Sequence, residues 1–200
     1  MARLNQTEAP ASGAGRVFPR PLTELGLAGV ALLSVLVLNS LPAALVALGL
    51  AWALLIVILS DLRDFIVPDA VSLSLVLLGP PIAGWLAGPA LFVEVMGVHA
   101  LAAAAGGLLL WLVGWLFERV RGRSGLGLGD VKLFAAAGAW VGPAALPWTL
   151  VLACAGVLLC ALPPAIRGDA GLAVRRIPFG LYLAPALWLV WMWRQAGIWQ

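Results

Sequence analysis

Long uncharged stretches dominate this chain and alternate with short polar segments. No Asp, Glu, Lys or Arg occurs in residues 25–60, 70–93, 95–117 or 133–166. A helix of about 20 apolar residues spans the hydrocarbon core of a bilayer, so each stretch is long enough to cross a membrane. The pattern predicts an all-α polytopic membrane protein.

The first stretch is too long for a single crossing. Residues 25–60 would form a helix of about 54 Å, whereas the hydrocarbon core is only about 30 Å thick. The sequence NSLP at 39–42 offers a natural break. Ser40 can cap a helix, and Pro42 suits the first turn of one.

The stretch 133–166 predicts a similar break, around Gly142-Pro143 and Pro147. We therefore predict a bundle of about seven transmembrane helices, with six to eight compatible with the pattern. The predicted helices cover residues 22–38, 43–60, 70–87, 96–117, 130–142, 146–166 and 179–197.

Basic residues beside alternate helices orient this bundle. Eleven of the twelve Lys and Arg residues lie at one predicted face of the membrane: in the N-terminal tail, after the second helix, beside the adjoining ends of the fourth and fifth helices, and between the sixth and seventh helices. Only Arg194 lies at the opposite end. Because Lys and Arg favour cytoplasmic loops, we predict a cytoplasmic N-terminus. We expect residues 1–20 to be a polar, disordered cytoplasmic tail and residues 21–200 to be one transmembrane domain.

Composition agrees with a membrane protein and narrows the possible partners. The 200 residues are 63% hydrophobic and 10% charged, with a net charge of +3, whereas soluble domains are about 45–50% apolar. We therefore expect the lipid bilayer to be a partner of the chain. Its basic residues are dispersed and lack an aromatic platform, so we expect no nucleic-acid partner.

Tryptophans and small residues refine the picture of the bundle. Trp85, Trp140, Trp148 and Trp199 lie near predicted helix ends, as an interfacial aromatic belt would place them. The sequence HALAAAAGGLL at 99–109 predicts close helix packing, because small residues let helix backbones approach.

Metal and cofactor chemistry has little support in the sequence. His99 is the single histidine, so no HExxH zinc motif exists, and we expect it to be a structural hydrogen-bonding residue. Cys154 and Cys160 form no CxxC pair, and we expect both to be free, buried thiols. The sequence therefore predicts neither a metal nor a cofactor.

Aspartates distant in sequence reach the same end of the predicted bundle. Asp61, Asp64 and Asp69 lie between the second and third helices, and Asp130 opens the fifth. They can be ordinary loop charges that pair with arginines. Alternatively, two of them form a carboxylate pair that shares one proton. The ionised partner of such a pair can deprotonate water while the protonated partner polarises a carbonyl, which hydrolyses a peptide bond.

Alternating glycines precede the last of these aspartates. Gly125, Gly127 and Gly129 lie just before Asp130, and glycine permits backbone angles and close approaches that other residues do not. The segment can hold a substrate strand beside Asp130, or it can be a flexible linker with Asp130 as a helix cap. It matches no phosphate-binding or dinucleotide motif.

Three separated segments resemble the type IV prepilin peptidases, the GxGD family of membrane aspartic proteases. SDLRDFIVPD at 60–69 resembles the family's first-aspartate motif. GLGLGDVKL at 125–133 resembles the second-aspartate motif, and RIPFGLYLA at 176–184 resembles the IPFG motif. The similarity covers residues 43–197, in the family's order and spacing.

This resemblance implies roles for particular residues. It makes Asp61 and Asp130 the catalytic aspartates, and Gly127 and Gly129 the glycines of GxGD. It implies that Lys132 pairs with acidic groups. It also implies that the IPFG segment supports the site through Pro178, Phe179 and Gly180.

The resemblance also implies a reaction. Family members remove a short basic leader from type IV prepilins or pseudopilins, cutting after a glycine at the cytoplasmic face of the bacterial inner membrane. Asp64 and Asp69 match positions that are not catalytic. The absence of a CxxC pair departs from members that also methylate, so we expect a peptidase-only form. Two other hypotheses remain, an ion-coupled transporter and a non-catalytic subunit of a pilus or secretion machine.

Overall fold

A computed structural model describes residues 29–197 except 31, 35, 39, 65, 123–124 and 167–177. Those residues form helices and connecting segments, with no strand among them. The described positions within 29–37 are helical, and the predicted tail at 1–20 lies outside the described residues. Five longer helices follow: α1 (Leu41–Asp64), α2 (Asp69–Ala87), α3 (Phe92–Arg121), α4 (Leu128–Ile166) and α5 (Gly180–Gln195).

Among the described residues, four segments are long and apolar enough to cross a membrane. They are Leu41–Asp64, Asp69–Ala87, Phe92–Arg121 and Leu128–Leu162. The all-α, multi-pass architecture predicted from the uncharged stretches is therefore confirmed, whereas the count of seven crossings stays a prediction.

The start of α1 confirms the break predicted in the first long stretch. Ser40 precedes the helix, and its Oγ accepts a hydrogen bond from the Ala43 N–H at 3.4 Å. Pro42 lies in the first turn, where its missing N–H would have no helical partner in any case.

The second predicted break is a sharp bend inside α4. Gly142 has φ 71° and ψ 178°, a backbone conformation that is essentially restricted to glycine. It divides α4 into a first part, 128–141, and a second part, 143–166. Pro147 does not interrupt the second part, which stays helical through it.

The two parts of α4 run in opposite directions along α5. At the end of the first part, the Val141 carbonyl accepts a hydrogen bond from Arg194, near the end of α5. In the second part, a Cβ added to Gly156 would lie 3.0 Å from the Tyr182 ring, near the start of α5. The second part therefore returns toward the end of the bundle where α5 begins.

Close approach of small residues holds the helices together, as predicted for 99–109. A Cβ added to Gly138 in α4 would lie 2.3 Å from the Ala102 carbonyl oxygen in α3. A Cβ added to Gly79 in α2 would lie 2.7 Å from the Ala139 Cβ. Since these contacts leave no room for side chains, α4 packs backbone against backbone with both neighbours.

One tryptophan assigned to the interfacial belt belongs to the core instead. Trp140 is only 5% exposed. Its Nε1–H donates to the Leu75 carbonyl at 2.9 Å, and its ring makes an edge-on contact with Trp191 at 6.2 Å between centroids. Trp85 and Trp148 are exposed as a belt requires, and Trp199 lies outside the described residues.

The two cysteines correct another expectation. Cys154 and Cys160 are free, as predicted, but both are exposed rather than buried. They lie on the second part of α4, where the bend at Gly142 leaves an outward face. The polarity pattern of a helix that is apolar all round does not distinguish such a face from the core.

His99 lies at the end of the bundle opposite the start of α5. It is 4% exposed, and its Nδ1 makes a 2.8 Å hydrogen bond with the Ala139 carbonyl. The predicted structural hydrogen-bonding role is confirmed. With Arg194 on the Val141 carbonyl, this contact satisfies carbonyls that the bend at Gly142 leaves without helical partners.

Candidate active site

Asp61 lies in the last turn of α1 and faces the start of α5. It is only 5% exposed. Its Oδ2 accepts a hydrogen bond from the Leu181 N–H at 3.1 Å, and the Gly180 N–H also bonds to the carboxylate. The first N–H groups of a helix lack helical partners and form the positive end of its dipole. The start of α5 therefore supplies hydrogen-bond donors for this carboxylate.

Gly180 makes this contact possible because it has no side chain. A Cβ added at this position would lie 2.8 Å from Asp61 Oδ2 and 3.3 Å from its Cγ. Phe179 is the N-cap residue of α5, and Pro178 precedes it, both half-buried. The structure thus places Gly180 of the predicted IPFG segment directly against Asp61, with Phe179 and Pro178 immediately before it in the chain.

Asp130 lies in the first turn of α4, in a cap formed with Gly127. The Gly127 carbonyl accepts the Asp130 N–H at 3.1 Å, and the Asp130 carboxylate accepts the Gly127 N–H. This reciprocal pairing resembles a capping box, in which an acidic residue three positions into the helix bonds back to the cap residue. The cap holds the Asp130 carboxylate at the start of α4, where the residue is partly buried.

One cavity brings the two aspartates together, although they lie 69 positions apart in sequence. Its volume is about 280 Å³, and the charges of Asp61 and Asp130 interact across it. We call it the aspartate cavity. It is lined by Asp61, Ile66, Val67, Asp69, Gly127, Leu128, Gly129, Asp130 and Lys132.

Gly129 lets the start of α4 approach the connection between α1 and α2. A Cβ added to Gly129 would lie 2.9 Å from the Val67 Cβ, and Val67 is itself 6% exposed. Both glycines of the GxGD segment therefore lie at the cavity, Gly127 as the cap and Gly129 as a packing contact.

Lys132 pairs with an acidic group, as predicted. Its Nζ lies 2.7 Å from Asp69 Oδ1, and the two side chains are 34% and 65% exposed. The pair forms the solvent-facing side of the aspartate cavity. Asp64 is exposed and, among the residues that the structure describes, it is not part of the lining.

Sequence reasoning missed two contributors to the site. The Leu181 N–H and the Val67 side chain carry no motif of their own, because one acts through its backbone and the other through packing. The only available signal was the position of Leu181 directly after the IPFG segment.

The arrangement suits acid–base chemistry on a polar substrate. Two carboxylates that line one cavity can share a single proton, because neighbouring carboxylates do not both ionise readily. Such a pair can then take a proton from water and give one to a carbonyl oxygen. Over the described residues, no group of three or more His, Cys, Asp or Glu side chains is arranged to hold a metal ion.

Fold and site together define a multi-pass helical membrane protein with two carboxylates in one cavity at the end of its bundle. Residues 48–162 match the type IV leader peptidase family. The chain belongs to this family.

Curated relatives agree with the family. Proteins named prepilin leader peptidase/N-methyltransferase are 39% identical over 182 residues in Aeromonas hydrophila, 37% over 181 in Pseudomonas putida, and 36% over 164 in Burkholderia pseudomallei (strain 1026b). These alignments cover 86%, 86% and 82% of this chain, but only 58%, 58% and 51% of the relatives. The chain thus spans a little over half the length of these relatives. No solved structure matches it.

Proposed function

We propose that this chain is a membrane aspartic endopeptidase that removes the short basic leader of type IV prepilins or pseudopilins. In this proposal the cut follows a glycine at the cytoplasmic face of the bacterial inner membrane, where the N-terminus of the chain also lies. Family membership and the names of the curated relatives support the substrate class. The observation that carries the proposal is the shared cavity of Asp61 and Asp130.

The proposed reaction uses the two carboxylates as one unit with a single shared proton. Water attacks the carbonyl carbon of the scissile peptide while one carboxylate takes a proton from the water and the other gives its proton to the carbonyl oxygen. The tetrahedral intermediate then collapses. Its C–N bond breaks, a proton passes to the leaving amine, and the carboxylates return to their starting state with one proton between them.

The surroundings of each carboxylate support a reaction in which the two act together. N–H groups at the start of α5 fix the position of Asp61, and the Gly127 cap fixes that of Asp130. Among the described residues, the hydrogen-bond partners of both carboxylates are backbone N–H groups. Such preorganisation is what a reaction needs when reacting atoms must be held within a fraction of an ångström.

The charge of the aspartate cavity supports a basic leader. Three aspartates and one lysine line it, so one shared proton still leaves the cavity negative overall. A basic peptide segment is attracted to such a cavity, and the attraction weakens as salt is added.

Incubation of the purified chain with candidate prepilins in detergent tests the proposal, with the products read by mass spectrometry. We expect a single cut after a glycine at the end of the leader. Binding without cleavage would favour the assembly subunit instead. Ion flux through proteoliposomes that contain the chain, in the absence of cleavage, would favour the transporter.

Cysteine labelling tests the proposed orientation. A cysteine introduced beside Arg121 at the end of α3 should react with an impermeant reagent only from the cytoplasmic side. Labelling only from the outside would contradict both the orientation and the cytoplasmic location of the aspartate cavity.

A further inference from the structure

An apolar groove runs along the membrane-facing side of the bundle between α1 and α2. Its volume is about 420 Å³. We call it the α1–α2 groove. Its walls include Gly49 and Ala53 of α1 and Ala70 and Leu78 of α2, and Trp140 of α4 lies across its floor. In the described chain, α1 packs against α2 much more sparsely than α2 packs against α3 or α4, which leaves the groove open.

One end of the groove lies beside the aspartate cavity. Ala70 in the groove follows Asp69 in the cavity. On α1, Ile56 in the groove lies five residues before Asp61, which is about 8 Å along the helix. From Ala70 to Ile82, the groove follows α2 for about 18 Å.

The walls suit a helix rather than a single lipid chain. Gly49, Ala53 and Ala70 are small, and small residues let the backbone of a second helix approach closely. A Cβ added to Gly49 would meet no atom within 4 Å, so an uncovered space lies in front of this part of α1.

We propose that the α1–α2 groove docks the apolar helix of a membrane-embedded substrate whose basic segment enters the aspartate cavity. The inference rests on the proposed function, because it assigns the groove to the same substrate. An apolar groove whose end lies beside a negatively charged cavity matches a ligand with an apolar helix at one end and a basic extension at the other. A lipid acyl chain carries no basic extension of this kind.

Filling the groove tests the proposal without touching the aspartates. Gly49→Leu places a side chain in the open space of the groove. Gly97→Leu is the matched control, because a Cβ at Gly97 in α3 also meets no atom within 4 Å and Gly97 is not part of the groove lining. Leucine is a better helix former than glycine, so both variants should fold.

The assay compares two substrates, a full-length prepilin and a soluble peptide that spans the cleavage site but lacks most of the apolar helix. We expect Gly49→Leu to lower kcat/KM for the prepilin at least about tenfold more than for the peptide, since one large apolar contact is lost. Gly97→Leu should leave this ratio at its wild-type value. An unchanged ratio in Gly49→Leu would overturn the docking proposal while the peptidase activity itself stood.

Cross-linking separates this proposal from the proposed function. A photoreactive residue at Leu78, which lines the groove, should cross-link to the prepilin helix, whereas one at neighbouring Leu77, which is 73% exposed and outside the lining, should not. This result would support docking even if the wild-type chain cleaved nothing, an outcome that overturns only the peptidase. Cross-links from Leu78 to lipid alone, or to a second copy alone, would overturn the docking proposal.

Discussion

Replacing Gly180 with alanine should impair the reaction far more than the fold. The new Cβ would lie 2.8 Å from Asp61 Oδ2, whereas ordinary van der Waals contact begins at 3.4 Å. The carboxylate must therefore move by about 0.6 Å, away from the Leu181 N–H that it accepts. A short side chain can rotate at little cost in stability, so the displacement falls on the position of Asp61 and not on the packing of α5.

The expected size of this effect follows from two independent estimates. A hydrogen bond to a charged group contributes about 1.5–3 kcal/mol, and each 1.4 kcal/mol lost from the transition state slows the reaction about tenfold. Misplacement of a reacting group by about 1 Å can cost about 100-fold. We therefore expect Gly180→Ala to lower kcat for prepilin cleavage by about 10- to 100-fold.

Gly127→Ala is the matched control for this prediction. A Cβ at Gly127 would lie 3.4 Å from Asp130 Oδ2, an ordinary contact, so we expect kcat to change by no more than about threefold. The thermal unfolding temperature of Gly127→Ala in detergent should stay at the wild-type value or rise slightly, because alanine restricts the unfolded chain more than glycine does. That of Gly180→Ala should fall slightly, because the hydrogen bond from the Leu181 N–H to Asp61 is weakened. A folded Gly180→Ala protein with wild-type kcat would refute the assigned role of the start of α5.

Three further changes test other parts of the account. Lys132→Met removes the lysine charge from the lining of the aspartate cavity and an exposed ion pair worth about 0–1 kcal/mol, so KM for a prepilin with a basic leader should fall, by less than about fivefold, and the difference should shrink in high salt; complete loss of cleavage would contradict this. Gly142→Ala forces alanine into a backbone conformation that costs about 1–3 kcal/mol and places a Cβ 2.9 Å from His99 Nε2. The unfolding temperature in detergent should therefore fall, and an unchanged temperature would refute the account of the bend. Asp64→Asn alters an exposed side chain outside the described cavity lining and should cleave prepilin at the wild-type rate; loss of activity there but not in Asp61→Asn would move the first catalytic position by three residues.

Local signals in the sequence predicted the helix breaks because those breaks depend on local chemistry. Ser40 caps α1 through its own side chain, and the bend in α4 occurs at a glycine followed by a proline. The meeting of Asp61 and Asp130 at one end of the bundle also followed from sequence, since successive crossings alternate in direction.

Such local signals do not predict contacts between segments that are distant in sequence. Leu181 bonds to Asp61 across 120 positions, and no residue pattern specifies which backbone N–H meets which carboxylate. The prediction that Trp140 belongs to an interfacial belt was wrong for a related reason. Proximity to a helix end says nothing about the direction in which a side chain points, and here Leu75 and Trp191 enclose it.

The most direct test of the central claim measures prepilin cleavage by Asp61→Asn, Asp130→Asn and the double variant at matched expression, with the unfolding temperature in detergent as the folding control. Asparagine keeps the size of the side chain, so all three proteins should fold. If the two carboxylates act as one unit, each single variant should show no detectable cleavage, and the double variant should be no worse than either, because effects within such a unit are strongly non-additive. Substantial cleavage by a well-folded Asp130→Asn protein would contradict the account.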